Sequence, residues 1–440
     1  MNSYRIRWVT AVAALLMSAL PAQDLLGLMD NAREELAAER WAAARALLET
    51  VLEHDDTYAP AHFELSKLAI TVDDLTGAQK HIDAAVEAQP RNEDYRAHAE
   101  RIDALSSLMS NAHRSYTARD FLDAVSIYEQ VIDSHPDFAN AYYGMGKAFA
   151  EAELQREAAQ AFRQARDLNP SDPRYGSALN KLAADKYNLG NRAYRSRDWE
   201  SAIQVYQETI ELNPEFHQAY LQLARAYLRW DDNDVDAAIG ALDRCLTVKP
   251  NYISAYVEKG NILRRDGRYA DSEAVFRQAL AIDARSDRVL VGLGSVVKRD
   301  DARMEEAVEV FKQALAVNPK SGDAAEYLGE IYSEQKSWDS AHKYLLIAVD
   351  LKSKSHVAAW RLAHVYNALG DFDQALLSAK RSTELKKSFE YAWFEKGLAD
   401  KALGNRQAAI AAFREAKKGR DASIRKSADY ELKQLDPSSQ

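Results

Sequence analysis

Six of the chain's ten prolines, Pro90, Pro136, Pro170, Pro214, Pro250 and Pro319, are spaced by 46, 34, 44, 36 and 69 residues. These gaps reduce to a unit of 34, single or doubled, with insertions of 12, 10, 2 and 1. A fixed period of this length means one supersecondary unit used over and over, none able to bury its apolar face alone. The chain must therefore stack its units side by side. Composition says what the unit is made of. Only 17 glycines and 10 prolines occur in 440 residues, where ordinary usage would give about 30 and about 22. Both residues disfavour helix interiors, so their scarcity points to helix. An apolar content of 47% excludes a disordered chain.

The side chains keep the same period. Tyr142, Met145, Gly146 and Phe149 share one helical face, and Ala158, Phe162 and Ala165 share the next before Pro170. The order returns as Tyr220, Leu223, Ala224 and Tyr227, then Ala238, Leu242 and Cys245 before Pro250. It returns again as Tyr256, Gly260 and Leu263, then Phe276 and Ala279. Later copies carry Leu328, Gly329, Tyr332 and Ala341; Leu362, Ala363, Tyr366, Gly370 and Ala375; and Trp393, Gly397, Gly404, Ala409 and Phe413.

This order resembles the tetratricopeptide repeat: W-x2-L-G-x2-Y, then A-x3-F, then P, over 34 residues. Each unit is two short antiparallel helices, A and B. The small residue at position 8 lets helix A approach helix B, Ala at position 20 does the same for B, and large residues fill the space between. Proline near position 32 ends helix B. Eleven units are read, at 25–58, 59–92, 105–138, 139–172, 183–216, 217–252, 253–286, 287–321, 322–355, 356–389 and 390–422. Residues 423–435 read as the polar-faced capping helix that such stacks need. The resemblance implies an all-α protein, a right-handed α-solenoid superhelix in a single domain over 23–440. Residues 93–104 and 173–182 precede an A helix each. They either extend it to about 25 residues, by about 15 Å, or form a separate short turn. Asp231–Asp234 lengthens one A–B turn.

Residues 1–22 read as a signal peptide. Arg5 and Arg7 precede an apolar run from Trp8 to Leu20, and Pro21 and Ala22 follow. The run is shorter than the roughly 20 residues a spanning helix needs. Cleavage is expected after Ala22, with an uncleaved anchor as the alternative. The expected location is periplasmic or secreted.

Chemistry is hard to find. There is no phosphate-binding Gly-rich loop, no G-x-S-x-G and no H-E-x-x-H. Gly292 and Gly294 fit the small-residue positions of a repeat. The ten histidines are scattered, and His98 and His113 lie fifteen apart, so no metal site is expected. The single cysteine, Cys245, rules out an internal disulfide and reads as a core thiol. No enzyme activity and no cofactor are expected. The net charge of −10 argues against nucleic acid as a partner.

What remains is a surface. In the family, positions 2, 5, 9, 12 and 13 of helix A line the concave groove. Three consecutive units put bases there: Arg225 and Arg229, then Arg264 and Arg265, then Arg288, Lys298 and Arg299. Asn191 and Asn261 hold position 9, where peptide-binding members use Asn on a peptide backbone or terminal carboxylate. Arginine suits that work because its planar fork can hold a carboxylate through two bonds. Tyr143, Tyr187, Tyr194, Trp360 and Phe394 also fall at groove positions, and Trp360 and Phe394 are candidates for an apolar pocket. A solvated charged face and packing at the end of the stack are the plain alternatives. Charge drifts along the chain, from a net of −14 over 24–172 to +3 over 320–440. The expected function is a protein-binding scaffold of the bacterial envelope whose groove takes an extended acidic or carboxylate-ended segment. A structural subunit of a membrane-associated complex, a carbohydrate-binding export scaffold and a homo-oligomer stay open.

Overall fold

The structure, a computed structural model, describes residues 24–230 and 234–435. The expected signal peptide lies outside these residues, as does most of the Asp231–Asp234 insertion. The described chain is an all-α solenoid of 23 α-helices. It divides into two compact units, up to Ala219 and from Tyr220 on.

The first unit pairs α1 (Asp24–Ala37) with α2 (Trp41–His54), α3 (Ala59–Thr71) with α4 (Leu75–Ala88), and α5 (Glu93–Thr117) with α6 (Phe121–Ser134). Then α7 (Ala139–Glu151) pairs with α8 (Gln155–Leu168), and α9 (Pro173–Arg195) with α10 (Trp199–Leu212). Helices α5 and α9 run unbroken for 25 and 23 residues. The segments 93–104 and 173–182 therefore extend their helices. Both starts are capped, because Asn92 and Asp172 accept backbone N–H groups of the first turn.

Helix α11 (His217–Tyr227) straddles the division. The second unit continues with α12 (Val235–Val248), α13 (Ile253–Arg265), α14 (Tyr269–Ile282), α15 (Asp287–Val297) and α16 (Met304–Val317). Next come α17 (Gly322–Glu334), α18 (Trp338–Leu351), α19 (His356–Leu369), α20 (Phe372–Leu385), α21 (Glu390–Ala402), α22 (Arg406–Lys417) and the final α23 (Ala422–Leu435).

Among the described residues, nine of the A helices are followed by a left-handed residue, the exceptions being α11 and α15. Gly267, Gly370 and Gly404 fill this place without steric penalty, whereas Asp73, Glu153 and Lys336 carry a Cβ into the same conformation. The packing unit is a B-helix side chain seated against a small A-helix residue. Phe276, fully buried, rests on Gly260, and Phe413 rests on Gly397 in the same way. Burying one such ring contributes about 2–3 kcal/mol. The core is therefore a file of small clusters along the stack, and A-helix positions that face away from helix B are left for other work.

Candidate functional site

Consecutive A helices of the second unit are joined across their outward face by a ladder of charge pairs. Arg225 on α11 donates to Glu258 Oε2 on α13 at 3.1 Å. Arg361 on α19 donates to Glu330 Oε1 on α17 at 2.7 Å, and Lys298 on α15 meets Glu330 Oε2 at 3.0 Å. His364 Nδ1 on α19 lies 2.9 Å from Glu395 Oε1 on α21, and Asn367 Nδ2 donates to Glu395 Oε2 at 2.8 Å. Glu395 is buried, and its hydrogen bond raises the His364 pKa against the opposing effect of burial. Three rungs share one register: position 9 of one unit meets position 6 of the next.

The ladder lapses between α13 and α15. The corresponding positions there are Asn261 and Gly292, neither charged. A cleft of 330 Å³ opens instead, lined by Asn261, Arg264, Arg288, Ser295, Tyr327 and the carboxylates of Asp287 and Asp323. Both carboxylates are engaged: Asn318 Nδ2 donates to Asp287 at 2.6 Å, and Lys352 Nζ to Asp323 at 2.7 Å. Ser295 donates to the Gly292 carbonyl at 2.6 Å. The Tyr327 ring is stacked on Phe311 with centroids 4.9 Å apart, and burial raises its hydroxyl pKa. The arginines are less well provided for. Arg264 Nε is shielded from solvent and meets no acceptor among the described residues. Among the described residues Arg288 reaches only the Ser254 hydroxyl, at 3.4 Å. A shielded N–H without an acceptor costs about 1–3 kcal/mol.

The structure thus sorts the expected groove residues. Asn261, Arg264 and Arg288 come together in the cleft. Arg225 and Lys298 are neutralised within the ladder. Arg265 is exposed and donates back to the Asn261 carbonyl, while Arg299 lies over the Tyr269 ring of α14, 4.1 Å from its centroid. Arg229 is exposed in the turn after α11. Asn191 accepts from the Tyr206 hydroxyl inside its own hairpin, at 2.9 Å.

The aromatic residues pack against other rings. Tyr143 contacts Phe162 and Tyr175, Tyr187 contacts Tyr206 and Phe216, and Tyr194 meets Trp199 edge-on. Trp360 packs on Phe389 and Tyr391, whereas Phe394 rests on Phe413. Trp360 and Phe394 therefore have separate ring neighbours, Trp360 reaching forward to Tyr391 of the next hairpin while Phe394 stays within its own. The glutamates of the ladder, Glu258, Glu330 and Glu395, were not among the expected groove residues. Complementary charge at positions 9 and 6 of successive units is the sequence signal that reveals them.

Comparison with known proteins agrees with this architecture. One tetratricopeptide repeat pattern matches residues 111–173, 187–229, 223–287 and 298–356, a second matches 35–102, and a third matches 357–389 and 390–418. Protein STIP1 homolog of Dictyostelium discoideum is 30% identical over 107 residues, 24% of this chain and 19% of that protein. Small glutamine-rich tetratricopeptide repeat-containing protein 2 of Mycosarcoma maydis is 26% identical over 106 residues, 24% of this chain and 30% of that protein. The matched stretches thus span under a third of these relatives. Among solved structures, yeast Tom70 aligns over 94% of this chain and 96% of its own, at 17% identity and a TM-score of 0.40. PilW, a type IV pilus biogenesis factor, aligns over 48% of this chain and 97% of its own, at 21% identity and a TM-score of 0.41. With matches over more than half its length and hairpins throughout its described residues, the chain belongs to the tetratricopeptide repeat family.

Proposed function

We propose that the chain is a non-enzymatic adaptor that holds an extended acidic or carboxylate-ended segment of another protein in the α13–α15–α17 cleft. Tetratricopeptide repeats serve as scaffolds for protein–protein interaction. The finer reading rests on Arg264, which lines a cleft where both carboxylates already have partners while its own Nε has none among the described residues. A ligand carboxylate there would pair with Arg264 and Arg288, with Asn261 positioned for the peptide backbone. For its location we propose the bacterial envelope, a reading supported by the positive start and apolar run within residues 1–22.

The test uses short acidic peptides with either a free or an amidated C-terminus, followed by fluorescence anisotropy against the full chain. Arg264→Glu should weaken binding of the free acid by at least about tenfold, the scale of one charge-assisted hydrogen bond. Arg299→Glu should leave it unchanged. Equal binding by wild type and Arg264→Glu removes the cleft as the site.

A further inference from the structure

Asp73 lies in the turn between α3 and α4 with φ of 63°, a conformation that strains a residue bearing a Cβ. Its carboxylate does not serve that turn. Oδ1 accepts the Asn140 backbone N–H at the start of α7, at 2.9 Å. Oδ2 accepts from Asn169 Nδ2 and from the Tyr175 hydroxyl, both at 2.9 Å. These donors lie 67, 96 and 102 residues further along the chain. Asn169 and Tyr175 are more than nine-tenths buried, at 9% and 0% exposure. Asn169 is fixed in turn, because Ser171 Oγ donates to its Oδ1 at 2.7 Å. Three fixed donors from two hairpins converge on one carboxylate, and none of them is a cation.

Beside this point lies an apolar cleft of 630 Å³. Trp41, Leu65, Leu68 and Val72 line it, and Asp74 and Ser171 bound it next to the Asp73 bonds. Val72, the neighbour of Asp73, is 37% exposed.

We propose that Asn140, Asn169 and Tyr175 form a carboxylate receptor occupied by the chain's own Asp73. An acidic side chain of a protein partner binds by taking Asp73's place, while an adjacent apolar side chain of that partner enters the cleft. The exchange trades one carboxylate for another at the same neutral donors and returns the Asp73 carboxylate to solvent. The partner segment is therefore an acidic residue flanked by large apolar ones, which distinguishes it from the segment proposed for the Arg264 cleft.

The experiment uses the full chain and two probes: sodium formate, with sodium chloride as the ionic control, and a labelled peptide bearing one Asp between leucines. Asp73→Ala lowers the thermal midpoint, and formate restores part of the loss. Formate has no such effect on the Asp73→Ala, Tyr175→Phe double variant. The peptide binds Asp73→Ala at least tenfold more tightly than wild type, and adding Arg264→Glu does not change this. Should Asp73→Ala not fold, Asp73→Asn takes its place in the same series. No rescue by formate overturns the receptor. Rescue without tighter peptide binding reduces Asp73 to a staple of the fold and overturns the proposal as well.

Discussion

The ring of Phe276 occupies the space that a β-carbon on Gly260 would need, with its Cζ 2.5 Å from that position. Gly260→Ala forces a fully buried ring to move and should lower stability by about 2 kcal/mol, despite alanine's better helix propensity. Gly176, inside α9, has nothing within 4 Å of its absent β-carbon. There propensity acts alone, and Gly176→Ala should gain about 0.5–1 kcal/mol. Denaturant midpoints of the two variants should move in opposite directions. A shift of the same sign for both would show that the ring contact does not decide the choice of glycine.

That contact was readable beforehand. Glycine at position 8 and a ring sixteen residues later recur as Gly146–Phe162, Gly260–Phe276 and Gly397–Phe413, a spacing fixed by one hairpin. Contacts between hairpins are harder to read. Arg225 looked available until Glu258, 33 residues on, was seen to hold it. The Asp73 bonds were not legible at all, because they join turns whose approach depends on accumulated rotation along the first unit rather than on local pattern.

The ladder limits how far the cationic surface extends. Glu330 holds both Lys298 and Arg361. Glu330→Ala should release two cations next to the Arg264 cleft. Affinity for an acidic peptide should then rise about three- to tenfold at low salt, with a steeper salt dependence. A small loss of stability should accompany it, since two partly shielded cations lose their partner. Anisotropy titrations at two salt concentrations check this, and an unchanged affinity would mean that these cations do not face the ligand.

The partly buried histidines of the first unit and His364 of the second should respond oppositely to pH, with His356 at the start of α19 lowered by burial like the first group. In the first, burial pushes His98 down to about 4 and lowers His81 and His135 as well. His98 contacts Ser66 at 3.3 Å and lies among Arg101, Lys67, Glu64 and His135. Groups with a lowered histidine pKa contribute fully above the unfolded value of about 6.5 and lose that contribution as pH falls towards 4. His364 is raised by Glu395, so its contribution is full below about 6.5 and fades as pH climbs through its folded value. Hydrogen exchange at pH 7.5 and pH 5 should show α3–α5 losing protection on acidification and the backbone around the His364–Glu395 contact gaining it. Replacing His98 with Gln should flatten the first response.

Cys245 offers a reporter of opening. It is fully buried in α12, and burial pushes its thiol up to about 11. Thiolate is the reactive form. Iodoacetamide at pH 8 should therefore leave the native chain unlabelled and label it fully in denaturant. Rapid native labelling would show that the α11–α14 layers open on the timescale of the reaction.

Asp73 and Glu153 occupy equivalent turns with the same φ of 63°. Their backbones pay the same left-handed strain, yet only one side chain returns something for it. Glu153 is exposed, so Glu153→Gly relieves about 1–2 kcal/mol of strain against about 0.5–1 kcal/mol of added unfolded-state freedom. It should come out neutral to slightly stabilising. Asp73→Gly gains the same relief but strips three donors of their acceptor, two of them on buried residues, each buried loss costing about 1–3 kcal/mol before any rearrangement. Calorimetry of the two variants should therefore separate them by more than about 2 kcal/mol, with Asp73→Gly the less stable. Equal effects would mean that water satisfies the donors as well as the carboxylate does. In that case the bonds from the second hairpin to the fourth and fifth would contribute geometry without energy.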